Sequence, residues 1–407
     1  MGYTKDVIKG VSWAGTLSFL TKAVRFLETI ILARILVPSQ FGAYGISLLT
    51  LGLLETLTET GVNIVLIQEK ETDPYISSAW LVSIGRGLVI ALFLYFSSPI
   101  ISNFFHSPQS LTLLQLISLA PFLRGFINPS VVTFQKDLLF RKYFWYQAII
   151  LFIDTVTSIT ITYITKQPIG IVIGLLAGVI VELGLSFFVI SPRPTFTFRK
   201  EYVSKIFHRG KWVTMSAIFD YLFTNSDNIA VGRLLGAGSL GIYQLAYSLA
   251  VVPLTELSTV FIFVTIPVLT RLSENTMRLK RAYFKIVLSI FCIGIPYVLL
   301  VALVPQIFVF ILGQKWSAIT SILPILVTLG MVKAISNSSS SLFVGRKKQN
   351  YTMVVTLVTI IGMLATIIPF IHMFGIVGAG LAALLGACVA LPVIVYYVYI
   401  ILREVHV

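Results

Sequence analysis

Long apolar windows alternate with short clusters of charge, glycine and proline from one end of the chain to the other. A helix needs about 20 apolar residues to cross hydrocarbon, and windows of that length recur throughout. Bounded by the clusters, they predict about twelve spans. In the first half these are 11–33, 43–67, 77–101, 111–134, 146–165 and 169–190. In the second half they are 212–233, 241–267, 284–311, 317–343, 350–372 and 376–402. The pattern is that of an all-α integral membrane protein.

The halves repeat each other. Segment 13–44 aligns without a gap on segment 212–243, at a constant offset of 199 residues. Trp13 falls on Trp212, Arg34 on Arg233, Leu36 on Leu235, Gly42 on Gly241 and Tyr44 on Tyr243, with acidic Glu28 on Asp227. Each copy reads as a long helix with embedded charge, a short turn after an arginine, and the start of a second helix. Arg124 with Asn128 matches Lys333 with Asn337 at offset 209, and 170–174 resembles 375–379 at offset 205. Small drifts in offset are what changed loop lengths leave after a duplication. An even number of spans per half makes the repeats parallel, related by an axis along the membrane normal. The expected architecture is two six-helix lobes, 1–190 and 212–407, around a central cavity, joined by a basic linker at 191–211.

Composition supports this reading. Charged residues make up only 11% and hydrophobic ones 57% of the 407 residues, against about 25% charged in soluble domains. The formal net charge of +14 raises the question of nucleic acid, but no basic soluble module exists to hold it. The basic residues instead collect after the fourth, sixth, eighth and tenth spans, for example Arg141 and Lys142, Arg199 and Lys200, Arg278 and Lys280, and Arg346 and Lys347. The positive-inside rule then puts both termini in the cytoplasm, in a plasma or inner membrane. Charges at Lys22, Arg25 and Glu28 interrupt the first apolar run and no small-residue cleavage site follows, so the N-terminus is expected to stay attached. Cys292 and Cys388 lie in apolar runs and provide neither a disulfide framework nor metal-ligand spacing. No metal site, Walker loop or nucleophile elbow is present, and an enzyme is not expected.

Charge inside the spans is the candidate chemistry, since a charge at the bilayer centre costs about 2.5–3.5 kcal/mol and usually faces a cavity or a partner. Lys22, Arg25 and Glu28 share one side of the first helix. Glu55, Glu59 and Asn63 form a stripe on the second, where paired carboxylates need a cation or a proton to relieve them. Asp220 and Asp227 share a face of the seventh span, and Arg124 and Lys333 take symmetric mid-membrane positions. The competing reading is paired charge that joins helices without a ligand. It weighs more for Glu28, Asp154, Glu182 and Glu256, and less for Arg124 and Lys333, which have no acidic neighbour on their own helix turn. Arg34 and Arg233, at span ends, read as turn anchors.

The motif Leu32-Ala33-Arg34-x-Leu36-x-Pro38-x-x-Phe41-Gly42-x-Tyr44 resembles the start of Wzx-type oligosaccharide flippases of the MATE-like (MOP) superfamily, and so does Asp227 through Gly232-Arg233-x-Leu235-Gly236 to Tyr243. The resemblance implies a substrate of oligosaccharide on a polyprenyl pyrophosphate, flipped from the inner to the outer leaflet for cell-surface polysaccharide synthesis by alternating access. It also implies cavity cations that meet the pyrophosphate. On this reading Lys22, Arg25, Arg124 and Lys333 bind substrate. Glu28, Glu55, Glu59, Asp220 and Asp227 balance them or take a coupling proton or sodium ion. Membrane lipid and a glycan polymerase are the expected partners; no other cofactor is implied. A cation-coupled MATE-type drug exporter, with acidic residues dominating the cavity, and a non-transporting scaffold for glycan enzymes are the alternatives.

Overall fold

Every described element of the computed structural model is helical. The structure describes residues 2–58, 66–67, 73–271 and 276–403. The chain packs as two units, 1–225 and 226–407.

The N-terminal unit opens with α1 (Gly2–Ile35) and α2 (Pro38–Leu57), followed by the long α3 (Asp73–Phe104). The fourth apolar window is broken rather than straight. It forms α4 (Pro108–Ile117), α5 (Leu119–Gly125), a short 3-10 turn at Pro129–Val132 and α6 (Thr133–Lys136), with a bend of 75°. Pro129 cannot continue a helix hydrogen-bond ladder, and the Asn128 side chain caps the next turn by accepting from Ser130 N at 3.0 Å. Helices α7 (Phe140–Thr165) and α8 (Ile169–Phe188) complete the apolar part.

Helix α9 (Lys200–Ala250) begins inside the basic connection, so the expected linker 191–211 is non-helical only as far as Arg199. The helix breaks once, at Gly236, with φ 80° and ψ 175°. In the first copy the equivalent position is Val37, extended at φ −94° and ψ 160°, immediately before α2. The duplicated segments therefore turn at the same repeat position. A β-branched residue serves where φ is negative, and glycine where it is positive. Arg34 and Arg233, close before the two turns, are both exposed.

In the C-terminal unit α9 leads to α10 (Val252–Arg271), α11 (Thr276–Leu303), α12 (Gln306–Leu312), α13 (Ile319–Gly345), α14 (Gln349–Phe374) and α15 (Ile376–Arg403). The window 284–311, predicted as one span, is divided between α11 and α12 where Pro305 interrupts the ladder. The predicted windows are mostly helical where they are described, with breaks such as 126–128 and 304–305, and the described residues do not by themselves confirm the count of twelve. Among the described residues seven helices are long and apolar enough to cross a membrane, or nine if each of two bent pairs counts as one span. Charge along α1, and a second window followed only to Thr58 and at 66–67, account for part of the difference.

Apolar side chains fill both interiors and also cover the outside. Ala43, Leu51, Ile90, Leu94 and Leu114 pack together inside the N-terminal unit, and Leu279, Leu342, Phe343, Ile394 and Ile401 inside the C-terminal one. Phe96, Ile164 and Phe310 are more than 70% exposed, as lipid-facing residues are. Without a hydrophobic drive between helices in lipid, small residues that let backbones touch supply the packing. Gly170, Gly174 and Gly178 of α8 lie against Thr162, Ser158 and Asp154 of α7. Gly386 of α15 likewise meets the backbone of α14 at Thr359.

A Cβ at Gly174 would stand 2.7 Å from Asp154 O and 2.6 Å from Ser158 Cβ. Gly174→Ala is expected to destabilise the protein by about 1–3 kcal/mol, the range for overpacking a close contact. Gly184→Ala on the same helix, with nothing within 4 Å of the new Cβ, should be neutral. Thermal melting of both variants in detergent checks the contrast.

Candidate functional site

The helices of the N-terminal unit bring buried charge together in two places. The first joins α1 to α7. Arg25 donates from Nη1 to Glu28 Oε2 at 2.8 Å and from Nη2 to Asp154 Oδ2. Thr155 Oγ1 reaches Glu28 Oε2 at 3.4 Å. Glu28 and Asp154 are 4% and 7% exposed, and Glu28 Oε1 is buried without a hydrogen-bond partner. One guanidinium thus serves two carboxylates. Arg25, expected to be a substrate cation, is committed to holding α1 against α7. Lys22, one turn earlier, is exposed.

The second place is a cavity of about 490 Å³ among α2, α3, α5, α7 and α8. Arg86, Arg124, Glu55 and Glu182 line it, with Gln135, Tyr143 and Gln147 adding neutral polar groups. Arg124 Nη1 donates to Glu55 Oε1 at 2.7 Å, so the acid absent from its own helix turn arrives from α2. Arg86 donates to the Glu55 carbonyl at 2.7 Å and to Thr58 Oγ1 at 3.2 Å, which satisfies the orphaned C-terminal end of α2. Asn128, which also borders the cavity, is fully buried and fully used, donating to Ser186 O at 3.3 Å and Pro192 O at 3.1 Å. The cavity therefore combines a fixed frame with two guanidinium groups and two carboxyl groups facing polar space.

The C-terminal unit uses its charge differently. Asp227 is 5% exposed. Its Oδ1 accepts from Asn228 N and Nδ2 at 2.7 and 3.0 Å, and its Oδ2 from Tyr243 OH at 2.8 Å. This bond ties the two arms of α9 together across the Gly236 break. Lys333 donates to Tyr247 OH at 2.9 Å and lies 5.3 Å from the centre of that ring. Among the described residues no carboxylate pairs with it. Asn337, its companion, donates to Ser258 Oγ at 3.3 Å. Asp220 is exposed, and Glu59 and Asn63 lie outside the described residues.

The structure therefore brings Glu55 and Arg124 together, and Arg25 with Glu28. Each unit keeps its own set: Lys333 and Asp227 belong to the second. Arg86 and Glu182 also line the cavity, although Glu182 read from the sequence as paired charge joining helices. Their signal was weak, because each is a single charge on its helix stretch with no partner at three or four residues. Among the described residues no group of three or more His, Cys, Asp or Glu is placed to hold a metal ion.

The model of a family described as "Polysaccharide biosynthesis protein" matches residues 31–321. The lipopolysaccharide biosynthesis protein WzxC of Escherichia coli (strain K12) is 25% identical over 352 residues, 86% of this chain and 72% of the relative. Among solved structures, the lipid II flippase MurJ in an inward closed conformation superposes with a TM-score of 0.75 at 15% identity, covering 97% of this chain and 90% of the other. An inward-facing multidrug resistance MATE family transporter of the MOP superfamily gives 0.68 at 14% identity, covering 95% and 96%. Those two likenesses establish the fold.

Removing Arg25 would leave Glu28 and Asp154 without their counter-charge. Breaking a buried pair costs about 3–5 kcal/mol, and with Arg25 itself 45% exposed about 1–3 kcal/mol is expected for Arg25→Ala. Adding Glu28→Gln and Asp154→Asn should recover most of the loss in thermal melting. A triple variant no better than the single one would show that packing, and not charge, was lost.

Proposed function

Because the chain belongs to the polysaccharide biosynthesis protein family, we propose that it is a flippase for oligosaccharide linked to a polyprenyl pyrophosphate. It carries this substrate from the inner to the outer leaflet for cell-surface polysaccharide synthesis. The observation that carries the proposal is the cavity of the N-terminal unit, where Arg86 and Arg124 face polar space inside otherwise apolar helices.

A pyrophosphate diester brings two negative charges into a medium that penalises them, so it needs cationic donors along the way. A guanidinium offers a planar fork that fits phosphate oxygens two at a time. Arg124 already holds an anionic partner in Glu55, and trading that carboxylate for a phosphate keeps the guanidinium neutralised throughout. Lys333 is a second donor of this kind in the other unit. A lysine has three N–H groups, and a bond to one phenol leaves donors for an anion. The prenyl chain remains in lipid, and the bound head group is exposed first to one face of the membrane and then to the other.

Among the described residues the cavity lining bears as many arginines as glutamates, whereas a carrier of cationic drugs calls for an acidic excess. The basic connections after the even-numbered spans support cytoplasmic termini, which puts the loading side of the transporter on the side where lipid-linked glycans are assembled.

Arg124→Gln, at equal protein level in cells lacking the unmodified protein, is expected to lower surface polysaccharide by roughly 10- to 100-fold. That corresponds to the loss of a charge-assisted hydrogen bond of about 1.5–3 kcal/mol. Lipid-linked glycan should accumulate on the cytoplasmic leaflet, and Arg124→Lys should restore part of the export. Undiminished export by Arg124→Gln would refute the role of this cavity.

A further inference from the structure

A second hollow, of about 280 Å³, opens at one end of the N-terminal unit and shares no lining residue with the arginine-lined cavity. The first turns of α2, α4 and α8, with the connections before them, build it. Each of these connections follows an odd-numbered span. All three therefore lie at the end opposite the basic connections, which the positive-inside rule makes the outer end.

Hydrogen bonds within the protein fix the frame of the hollow. Gln40 Oε1 accepts from Val37 N at 3.1 Å while its Nε2 donates to Lys166 O at 3.2 Å, so this amide is a strut between two of the connections. In the third, the Oγ atoms of buried Ser102 and Ser110 donate to Ser107 O at 2.8 and 2.7 Å. The other polar groups of the lining are left over. Gln109, Thr112 and Gln167 are exposed, and among the described residues their side chains make no hydrogen bond within the protein. Buried Leu113 and Pro168, with Ile169, supply an apolar wall. Among the described residues no charged side chain lines the hollow.

This donor set selects a class of guest. A primary amide offers two N–H donors and a carbonyl acceptor, which suits hydroxyl groups that both give and take hydrogen bonds. Without a charged side chain the lining has no counter-charge for a phosphate or a metal ion. A wholly apolar guest would strip water from the amides and return nothing. A sugar ring answers both demands, with hydroxyls around its rim and C–H groups on its faces. The volume is close to the lower limit of about 300 Å³ for small-molecule pockets, room for about one or two sugar units. We propose that this hollow is a carbohydrate site that takes a neutral sugar of the translocated glycan at the outer face. The class of ligand comes from the hollow itself; only its identity with the transported glycan rests on the flippase reading.

The test uses the full-length protein in lipid nanodiscs, free of glycoside detergents that would compete. The probe is the phosphate-free repeat-unit oligosaccharide released from the host's own surface polysaccharide, titrated by saturation-transfer difference NMR. The unmodified protein should bind it. The double variant Gln109→Ala with Gln167→Ala should bind roughly tenfold more weakly, the loss of two neutral hydrogen bonds. Thr112→Trp, which fills the hollow from an exposed position, should abolish binding at an unchanged melting temperature. Inorganic pyrophosphate should not displace the sugar. No binding by the unmodified protein, undiminished binding by either variant, or displacement by pyrophosphate would overturn the proposal. Arg124→Gln keeps the two readings apart. Loss of sugar binding in that variant alone would put the sugar in the arginine-lined cavity and overturn this site. Undiminished export by Arg124→Gln with sugar binding intact would remove the role of the cavity and leave this site standing.

Discussion

A charged group surrounded by hydrocarbon has no water to turn to, so its counter-charge must come from the protein. That constraint orders the interior of this molecule. Arg25 is shared between Glu28 and Asp154, Arg124 is matched by Glu55, and Arg86 closes the end of α2. Each match comes wholly or partly from a different helix, so neutralisation and tertiary packing are the same event. Where the match is incomplete, as at Glu182 and Lys333, the interior retains the capacity to receive something else.

The duplicated segments show how one ancestral arrangement can be put to two uses. An acid sixteen positions before a tyrosine brackets the turn in both copies, Glu28 with Tyr44 and Asp227 with Tyr243. In the second copy the pair is closed, with Tyr243 bonded to Asp227 across Gly236. In the first, Arg25 has captured Glu28 and linked it to α7. A single basic residue at the position where the second copy has Thr224 redirects the acid from its own turn to a neighbouring helix.

Much of the fold was readable from the chain because hydrophobic period, proline and charge act locally. Helix positions, the equivalent turns at Val37 and Gly236, and exposed arginines at the span ends are all consequences of short-range rules. The broken fourth span was less visible: Asn128-Pro129 marks it, but the 75° bend depends on the buried contacts of Asn128 with Ser186 and Pro192. The site was legible in its parts and not in its pairing. Glu55 and Arg124 are 69 residues apart and on different helices, so no spacing rule joins them. Glu182 looked like glue for want of a neighbour, and the structure shows that this want of a neighbour is its distinguishing feature.

The glycine-lined seam between α7 and α8 has a mechanical corollary. Backbones that touch with no side chains between them leave nothing to compress or repack, so the two helices must travel as one stiff beam. Asp154 is bolted to that beam on one edge and, through Arg25, to α1. Any conformational cycle in this half of the molecule is therefore expected to spare the seam and to spend its displacement at interfaces cushioned by long side chains, such as those around the arginine-lined hollow.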